Sequence, residues 1–315
     1  MRLSCSRIEG TQATLQEVLK QDAGLAQAES RVEDIEEIGN YRAALFFAEA
    51  EMEQRPISLS LIRAIHQRLL QGVRGQNKEP GRFRVDQNWI GRPGCLIEDA
   101  RFVPCSPLIL TSALEDWERY LSSPNDDPVP RTAIAHAQFE ILHPFKDGNG
   151  RIGRMLIPLH LFQSKVLTRP MFYLSEYLEA NREAYYDSLL SITETGSWQT
   201  WLNFMLPAIA SQAESNYSKA AAILQLYTEL KSAFVKVLGS THSILALDAF
   251  FKTPILNAAD FAYSLQHASR TTTNTILRRL TEASLIHSLF PASGKRPGVF
   301  VLHSLVNIAE GRRLF

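Results

Sequence analysis

The chain has 315 residues, of which 45% are hydrophobic and 21% charged, a composition typical of a globular protein with two or three domains. Lysine plus arginine and aspartate plus glutamate each number 33, so the overall charge does not favour nucleic acid or an anionic membrane as a partner. The three cysteines lack metal-ligand spacing, the first ten residues have no apolar core long enough for a signal peptide, and the sequence nowhere has 18 consecutive apolar residues. These features predict a cytoplasmic protein with no membrane partner.

Charge is nevertheless distributed unevenly along the chain. Residues 1–50 hold five basic and nine acidic side chains, whereas residues 240–315 hold eight basic and four acidic ones. Any polyanion-binding role would therefore belong to the C-terminal end.

Helical spacing of apolar residues dominates the first 240 residues. Three stretches predict amphipathic helices: residues 60–73 (SLIRAIHQRLLQGV), 132–142 (TAIAHAQFEIL) and 151–162 (RIGRMLIPLHLF). Pro158 lies inside the third stretch and predicts a mild kink, because it removes one backbone donor. Residues 122–131 (SSPNDDPVPR) are predicted to be a loop from their prolines and their Asp/Asn cluster.

Two segments depart from the pattern of long helices. Residues 85–104 carry apolar, β-prone runs on both sides of a Gly-Arg-Pro-Gly sequence, which predicts a β-hairpin. Residues 255–289 have the pattern helix, turn, helix, and they are followed by a predicted two-stranded wing around residues 293–295. We place a domain boundary near residues 235–245.

The highest concentration of reactive side chains lies in ILHPFKDGNGRIGRML, residues 141–156. The pattern predicts a helix that ends before His143, a loop to about Gly148, and a new helix that begins near Asn149. A helix N-terminus has unpaired N–H groups and a partial positive charge, so it binds phosphate. Gly148 and Gly150 allow the backbone to approach an oxyanion closely.

The side chains around this helix start suit chemistry at a nucleotide phosphate. Asp147 is a hard oxygen ligand for Mg²⁺ bound by phosphates, and His143 can accept a proton near neutral pH. Arg151 and Arg154, three residues apart, can hold further phosphate oxygens. Each part alone also occurs in ordinary turns or in half of a calcium loop, but the combination favours phosphate chemistry. The chain has no GxxxxGK[ST] sequence, which disfavours ordinary P-loop activity.

The segment HPFKDGNGRIGR (143–154) matches HPFx[D/E]GNGRxxR at every defined position, and in it the chain resembles the Fic-domain proteins. EPGRFRVDQNWIG (79–91) and FVPCSP (102–107) look like the segments around the target-binding flap of that family. YLSEYLEANREAYYDSL (173–189) looks like the helices after its core. The resemblance covers roughly residues 1–230 and implies an all-α core with a small β-hairpin flap. It also implies transfer of AMP from ATP to a hydroxyl of a target protein, with release of pyrophosphate.

The resemblance also implies roles for single residues of the segment. His143 would deprotonate the target's Ser, Thr or Tyr hydroxyl, and Asp147 would hold Mg²⁺ between the α- and β-phosphates. Arg151 would contact the β-phosphate and Arg154 the γ-phosphate. The anion hole would consist of Gly148, Asn149 and Gly150.

Other parts of the family pattern have plain structural alternatives. Phe145 would anchor the loop in the core. Tyr185 and Tyr186 resemble residues that line the adenine pocket, although aromatic pairs on helices are often core residues. Residues 87–103 would form the flap that pairs with an extended target segment, and the alternative is a hairpin that only caps the helical bundle.

The N-terminal sequence SCSRIEGTQ (4–12) resembles the inhibitory-helix motif [S/T]xxxE[G/N] of the same family. Glu9 and Gly10 match the motif, whereas Cys5 stands at its first position. The resemblance implies that the Glu9 carboxylate pairs with Arg154, so that ATP binds in a pose unsuited to in-line attack.

The C-terminal residues 240–315 resemble a winged helix-turn-helix domain, which some Fic proteins carry. Its second helix would hold residues suited to phosphate and base-edge contacts, namely Arg270, Thr271, Thr272, Thr273, Asn274, Arg278 and Arg279. Winged helices also dock proteins or form dimers, so DNA binding by residues 240–315 and a homodimer are both left open.

We therefore predict three parts: an N-terminal helical segment with the inhibitory motif (1–50), a Fic catalytic core (51–235) and a winged-helix-like domain (236–315). The leading hypothesis is a Mg²⁺-dependent protein adenylyltransferase that binds ATP and a target protein and is inhibited by its own N-terminus. One alternative is removal of AMP, or transfer of another nucleotide, by the same site. The other is a transcriptional regulator whose Fic domain senses nucleotide.

Overall fold

The computed structural model describes residues 29–92, 94–123, 127–293, 296–311 and 313. The chain divides into two compact units, one of which contains residues 30–213 and the other the residues from 214 onward. The domain boundaries predicted at residues 50 and 235 stay predictions. None of the described helices has both the length and the apolar character needed to cross a lipid bilayer.

The unit of residues 30–213 is helical in its described part. Its helices are α1 (Glu29–Glu51), α2 (Leu59–Leu69), α3 (Pro107–Leu121), α4 (Pro128–Leu142), α5 (Asn149–Gln163), α6 (Ser175–Ala180), α7 (Arg182–Thr195) and the first part of α8 (Trp198–Leu238). The three predicted amphipathic stretches correspond to α2, α4 and α5, so these predictions are confirmed. Pro158 lies inside α5, which continues on both sides of it.

Capping residues determine where the helices of this unit begin. Ser58 accepts a hydrogen bond from the backbone N–H of Leu61 at the start of α2. Asp127 accepts one from Val129 at 2.9 Å, and Pro128 occupies the first turn of α4. The predicted loop over residues 122–131 is therefore too long, because the Asp-Pro pair that we assigned to the loop is the start signal of α4.

The predicted hairpin over residues 87–103 is only partly correct. Ile90 and Phe102 form one antiparallel bridge with backbone hydrogen bonds of 2.8 and 3.1 Å, and a 3₁₀ turn spans Ile97–Asp99. Hydrogen bonds from side chains stabilise other parts of the segment. For example, Trp89 Nε1 donates to the carbonyl of Cys95 at 3.1 Å. Over its described residues the segment is thus a loop closed by one bridge, because side-chain contacts replace the ladder that strand-like residues predicted.

The core of this unit places α4 and α5 side by side between two apolar clusters. Two buried tryptophans fix α4: Trp117 Nε1 donates to the carbonyl of Ala135 at 2.8 Å, and Trp201 Nε1 donates to that of Ala133 at 2.9 Å. A buried indole N–H needs a hydrogen-bond acceptor. Each tryptophan therefore fixes the position of α4 through this bond and also fills space in the core. The loop that joins α4 and α5 is therefore supported at both ends by rigid helices.

The unit from residue 214 onward has its own apolar core. After α8 it contains α9 (Ser243–Lys252), β1 (Ile255–Asn257), α10 (Ala258–Ser264), α11 (Arg270–Glu282), β2 (His287–Phe290), β3 (Val299–Val301) and α12 (His303–Glu310). The strands form an antiparallel sheet of order β1-β3-β2. The predicted helix, turn, helix and paired strands are present, although residues 294 and 295 of the predicted wing tip lie outside the described residues. The assignment to a winged-helix fold stays a prediction.

Candidate active site

The junction of α4 and α5 has the predicted boundaries, since α4 ends at Leu142 and α5 begins at Asn149. His143 caps α4 with φ 46° and ψ 59°, and Gly148 precedes α5 with φ 77°. The left-handed conformation is easy for glycine but strained for histidine, so the surrounding structure must impose it on His143. Strain of this kind is common at functional sites.

Arg84 holds His143 in this conformation. The Arg84 side chain is buried, and its Nε donates to the carbonyl of His143 at 3.0 Å. Its Nη2 donates to the carbonyls of Leu142 and Cys105 at 3.3 and 2.6 Å, and its backbone N–H donates to Pro144 at 2.8 Å. The carbonyls at a helix C-terminus lack intrahelical partners and carry partial negative charge. A cationic side chain there supplies both the missing hydrogen bonds and a compensating positive charge. Burial lowers the pKa of the Arg84 guanidinium.

Phe145 and Asn149 lock the loop to the first turn of α5. Asn149 Oδ1 accepts from the Phe145 N–H at 2.8 Å, and Asn149 Nδ2 donates to the Phe145 carbonyl at 2.7 Å. Asn88 Nδ2 donates to the same carbonyl at 3.1 Å. The Asn149 side chain is therefore occupied within the loop, and a role for this residue in an anion hole would fall to its backbone N–H. Phe145 is fully buried, which agrees with the anchoring role expected of it.

His66 on α2 packs against the loop that joins α4 and α5. Its ring stacks on Phe145 with centroids 3.7 Å apart and planes at 4°. The Gly81 N–H donates to Nδ1 at 2.8 Å, so the proton resides on Nε2, which donates to the carbonyl of Asp147 at 2.9 Å. Burial lowers the pKa of His66 to about 4, and the ring is neutral at physiological pH. Sequence reasoning missed this role, for which the only signal was a histidine on the apolar face of a helix.

The N-terminus of α5 is the candidate phosphate cradle, and its backbone geometry fits that role. Glycine suits position 148 because its φ is positive, a backbone conformation in which other residues are strained. The first turn of the helix contributes the backbone N–H groups of Asn149 and Gly150, which are the donors that bind anions at helix starts. The helix has 15 residues, so its aligned peptide dipoles place a partial positive charge at its N-terminus.

Charged side chains surround this cradle. Arg151 has a side chain 1% exposed, with Nη2 3.3 Å from Asp147 Oδ1 and Nη1 3.6 Å from Glu37 Oε2. Arg154 is also buried. Neither guanidinium points into bulk water, so both lie in surroundings of low polarity where charge interacts strongly.

Asp147 fits the Mg²⁺ role that the sequence predicted. Its carboxylate is about one-third exposed, and Oδ1 also accepts from the Gly148 N–H at 2.6 Å. Mg²⁺ in nucleotide sites uses one or two carboxylates together with phosphates and water, so one carboxylate beside a phosphate cradle suits it. The described part of the chain contains no cluster of three or more metal-binding side chains.

The two tyrosines differ in their surroundings. Tyr185 is 1% exposed, packs in the core, and donates its hydroxyl to Nε2 of His136, whose Nδ1 donates to the carbonyl of Gly153. The prediction that Tyr185 lines an adenine pocket is therefore not supported, because the core already covers its ring. Tyr186 is half-buried and lies under the guanidinium of Arg101 at 5.4 Å, so its ring remains a candidate. Glu9, the predicted inhibitory residue, lies outside the described residues.

Comparison with known sequences agrees with this geometry. The profile of the Fic/DOC family matches residues 56–161, and the profile of the Fic/DOC family N-terminal region matches residues 3–50. These ranges include the whole loop between α4 and α5. Residues 56–161 of the protein therefore carry a Fic/DOC domain. The segment from His143 to Arg154 carries its sequence signature.

Relatives and structures extend the likeness at modest identity. Protein adenylyltransferase fic-1 of Caenorhabditis elegans is 31% identical over 167 residues, which are 49% of this chain and 31% of that protein. A probable protein adenylyltransferase of Aquifex aeolicus is 26% identical over 200 residues, 59% of this chain and 57% of the relative. The chain thus spans only 31% and 57% of the length of these two relatives. A Fic family protein of Desulfovibrio desulfuricans shares the fold, with a TM-score of 0.61 at 22% identity over 95% of this chain and 84% of that one.

We predict that Arg84→Lys destabilises this Fic protein. Lysine cannot reproduce the planar fork, so at least one buried carbonyl at the end of α4 loses its donor, at a cost of about 2–3 kcal/mol. Urea unfolding measures this loss. Arg82→Lys, which changes an exposed arginine two residues away, is the control and should change stability by less than about 0.5 kcal/mol. Equal stability of the two variants would show that Arg84 does not support the loop.

Proposed function

We propose that this Fic protein is a protein adenylyltransferase, an enzyme that moves AMP from ATP to a Ser, Thr or Tyr hydroxyl of a target protein. The observation that carries the proposal is the cradle at the N-terminus of α5, where the buried Arg151 adjoins the carboxylate of Asp147 and Arg154, one turn further along α5, is also buried. The names of the curated relatives supply the reaction class. A phosphate-transfer site needs mainly positioning and charge stabilisation, which these groups offer.

In the proposed reaction, the target hydroxyl oxygen attacks the α-phosphorus of ATP. His143 accepts the hydroxyl proton as the new P–O bond forms, and the bond between the α-phosphorus and the pyrophosphate oxygen breaks. AMP remains on the target, and pyrophosphate leaves. Arg151 and Arg154 would bind the β- and γ-phosphates, and Mg²⁺ held by Asp147 would supply positive charge that neutralises phosphate oxygens.

The target would bind along the segment of residues 87–103. This segment exposes several large apolar side chains, namely Trp89, Ile90, Leu96, Ile97 and Val103. Among its described residues only Ile90 and Phe102 form a backbone bridge, so an extended peptide could pair with the remaining backbone. A homodimer stays a prediction.

Two other reactions use the same groups and are outcomes of the same experiment. The site could remove AMP from a modified protein, or transfer a different nucleotide. The mass added to or lost from a target distinguishes these reactions. A role in sensing nucleotide without catalysis is disfavoured by His143, because binding alone needs no general base.

We predict that His143→Ala abolishes protein labelling by ATP radiolabelled at the α-phosphate. Loss of the general base lowers such rates by about 100-fold or more, while ATP binding persists. Labelled protein and released pyrophosphate are measured together. His267→Ala, which removes an exposed histidine from the other compact unit, is the control. Undiminished labelling by His143→Ala would refute the proposed mechanism.

We further propose that Glu9 inhibits the enzyme by pairing with Arg154. Glu9→Gly would release Arg154 for the γ-phosphate, so labelling from ATP should rise about tenfold or more, which corresponds to about 1.4 kcal/mol of lost inhibition. Adding His143→Ala should remove the gain. Glu17→Gly, at another acidic position of the N-terminal segment, serves as the control. Equal labelling by wild type and Glu9→Gly would eliminate the switch.

A second candidate function, DNA binding, concerns the unit from residue 214 onward. The outward face of α11 presents Arg270, Thr271, Asn274 and Arg278, which line an open groove with Thr275. These residues suit phosphate and base-edge contacts in a helix that enters the major groove.

Two of the residues that we predicted for this face are positioned otherwise. Thr273 is buried with Ile276 in the core, and Arg279 Nη1 donates to the carbonyl of Leu238 at 3.3 Å. Thr273 therefore cannot reach a DNA base in this conformation, whereas the exposed Arg279 side chain is held by its hydrogen bond to the end of α8. Arg278 pairs with Glu282, but an exposed pair of this kind is weak and easily exchanged for a phosphate.

We predict that the protein binds duplex DNA with a strong dependence on salt, and that Arg278→Ala reduces the slope of log K against log[salt] by about 1. Lys252→Ala, which removes an exposed charge elsewhere in the same unit, is the control and should leave the slope unchanged. Fluorescence anisotropy with labelled DNA measures both. The absence of binding at low salt would indicate that the face docks protein instead.

A further inference from the structure

A buried acid outside the Fic signature contacts the phosphate cradle. Glu37 lies on α1 with its side chain only 3% exposed. Its Oε2 is 3.6 Å from Arg151 Nη1, and its Oε1 is 3.4 Å from Arg74 Nε. Burial of a carboxylate is costly unless cations compensate it, so these two arginines help to stabilise the buried Glu37 carboxylate.

Arg151 is shared between two carboxylates. One end of its guanidinium approaches Glu37, and the other approaches Asp147 Oδ1 at 3.3 Å. Both distances are longer than those of a close bidentate pair. The cation is therefore balanced between the acid of α1 and the acid proposed to hold Mg²⁺, and weakening one contact strengthens the other.

The same face of α1 also fixes the backbone that passes over Asp147. Gly75 has φ +89°, and a Cβ placed on it would lie 2.7 Å from Asp147 Oδ2. Arg74, which contacts Glu37, precedes this glycine. Asn40, one turn after Glu37, donates to the carbonyl of Gln71 at 2.7 Å. The helix α1 thus holds Arg151 on one side of Asp147 and the segment of Gly75 on the other.

We propose that Glu37 is a positioning residue that keeps Arg151 from pairing fully with Asp147. Its negative charge draws the Arg151 guanidinium toward α1. The Asp147 carboxylate then remains available to Mg²⁺ and Arg151 to phosphate. The inference rests on the proposed function, because it concerns the binding of Mg²⁺ and ATP at the cradle. No feature of the sequence signature predicts it, since Glu37 lies more than 100 residues before the signature.

The test compares Glu37→Gln with Glu36→Gln, which makes the same change at the exposed neighbouring position. Binding of a non-hydrolysable ATP analogue is measured by titration calorimetry at increasing Mg²⁺ concentration, so the readout does not depend on turnover. In Glu37→Gln the Mg²⁺ concentration needed for half-maximal nucleotide binding should rise about tenfold, as is typical when a partner of a metal ligand is disturbed. Glu36→Gln should match the wild type.

Glu37→Asp keeps the buried negative charge but shortens the side chain, so it separates the effect of charge from that of packing. It also provides a test if the glutamine variant does not fold. Its shorter side chain holds Arg151 less closely, so the Mg²⁺ requirement should rise by only about threefold. A wild-type Mg²⁺ requirement in Glu37→Asp and in any folded Glu37→Gln would overturn the positioning role. A wild-type protein that binds no ATP analogue would overturn the proposed function, and with it this inference.

Discussion

The loop between α4 and α5 depends on the buried guanidinium of Arg84, which donates to carbonyls at the C-terminal end of α4. This loop of six residues joins the C-terminal end of α4, which carries partial negative charge, to the N-terminal end of α5, which carries partial positive charge. The negative end of α4 is neutralised inside the protein by a cation, whereas the positive end of α5 has glycine-flanked N–H groups that we propose bind phosphate. Without a cation at the first end, the left-handed conformation of His143 would lack its main support.

The groups that fix the loop are mostly neutral, and the groups that surround the cradle are charged. His66 and Asn149 hold the backbone through hydrogen bonds that do not change the net charge of the site. Arg151, Arg154 and Glu37 carry charge and are buried, so water screens their interactions little, whereas the Asp147 carboxylate is about one-third exposed. Apart from the Arg84 cation, the loop is thus held by neutral groups, whereas the charges around the cradle belong to other side chains.

Several features of the site were predictable because their causes are local. The end of α4, the glycine turn and the start of α5 follow from residues within a short segment. The hairpin at residues 87–103 was predicted from β-prone residues, but tertiary side-chain contacts reduce it to one bridge. Tyr185 and Tyr186 are adjacent in sequence, yet only the fold decides that the ring of Tyr185 faces the core.

The sequence by itself determined the helical class of the first unit, the boundaries of the cradle and the family signature, since helix periodicity, glycine positions and capping act over a few residues. Only the tertiary structure decided which distant side chains support the cradle. Arg84 reaches His143 across 59 positions of the chain, and His66 reaches Asp147 across 81. Such contacts depend on how helices pack together, and packing joins residues whose separation along the chain carries no signal of their proximity.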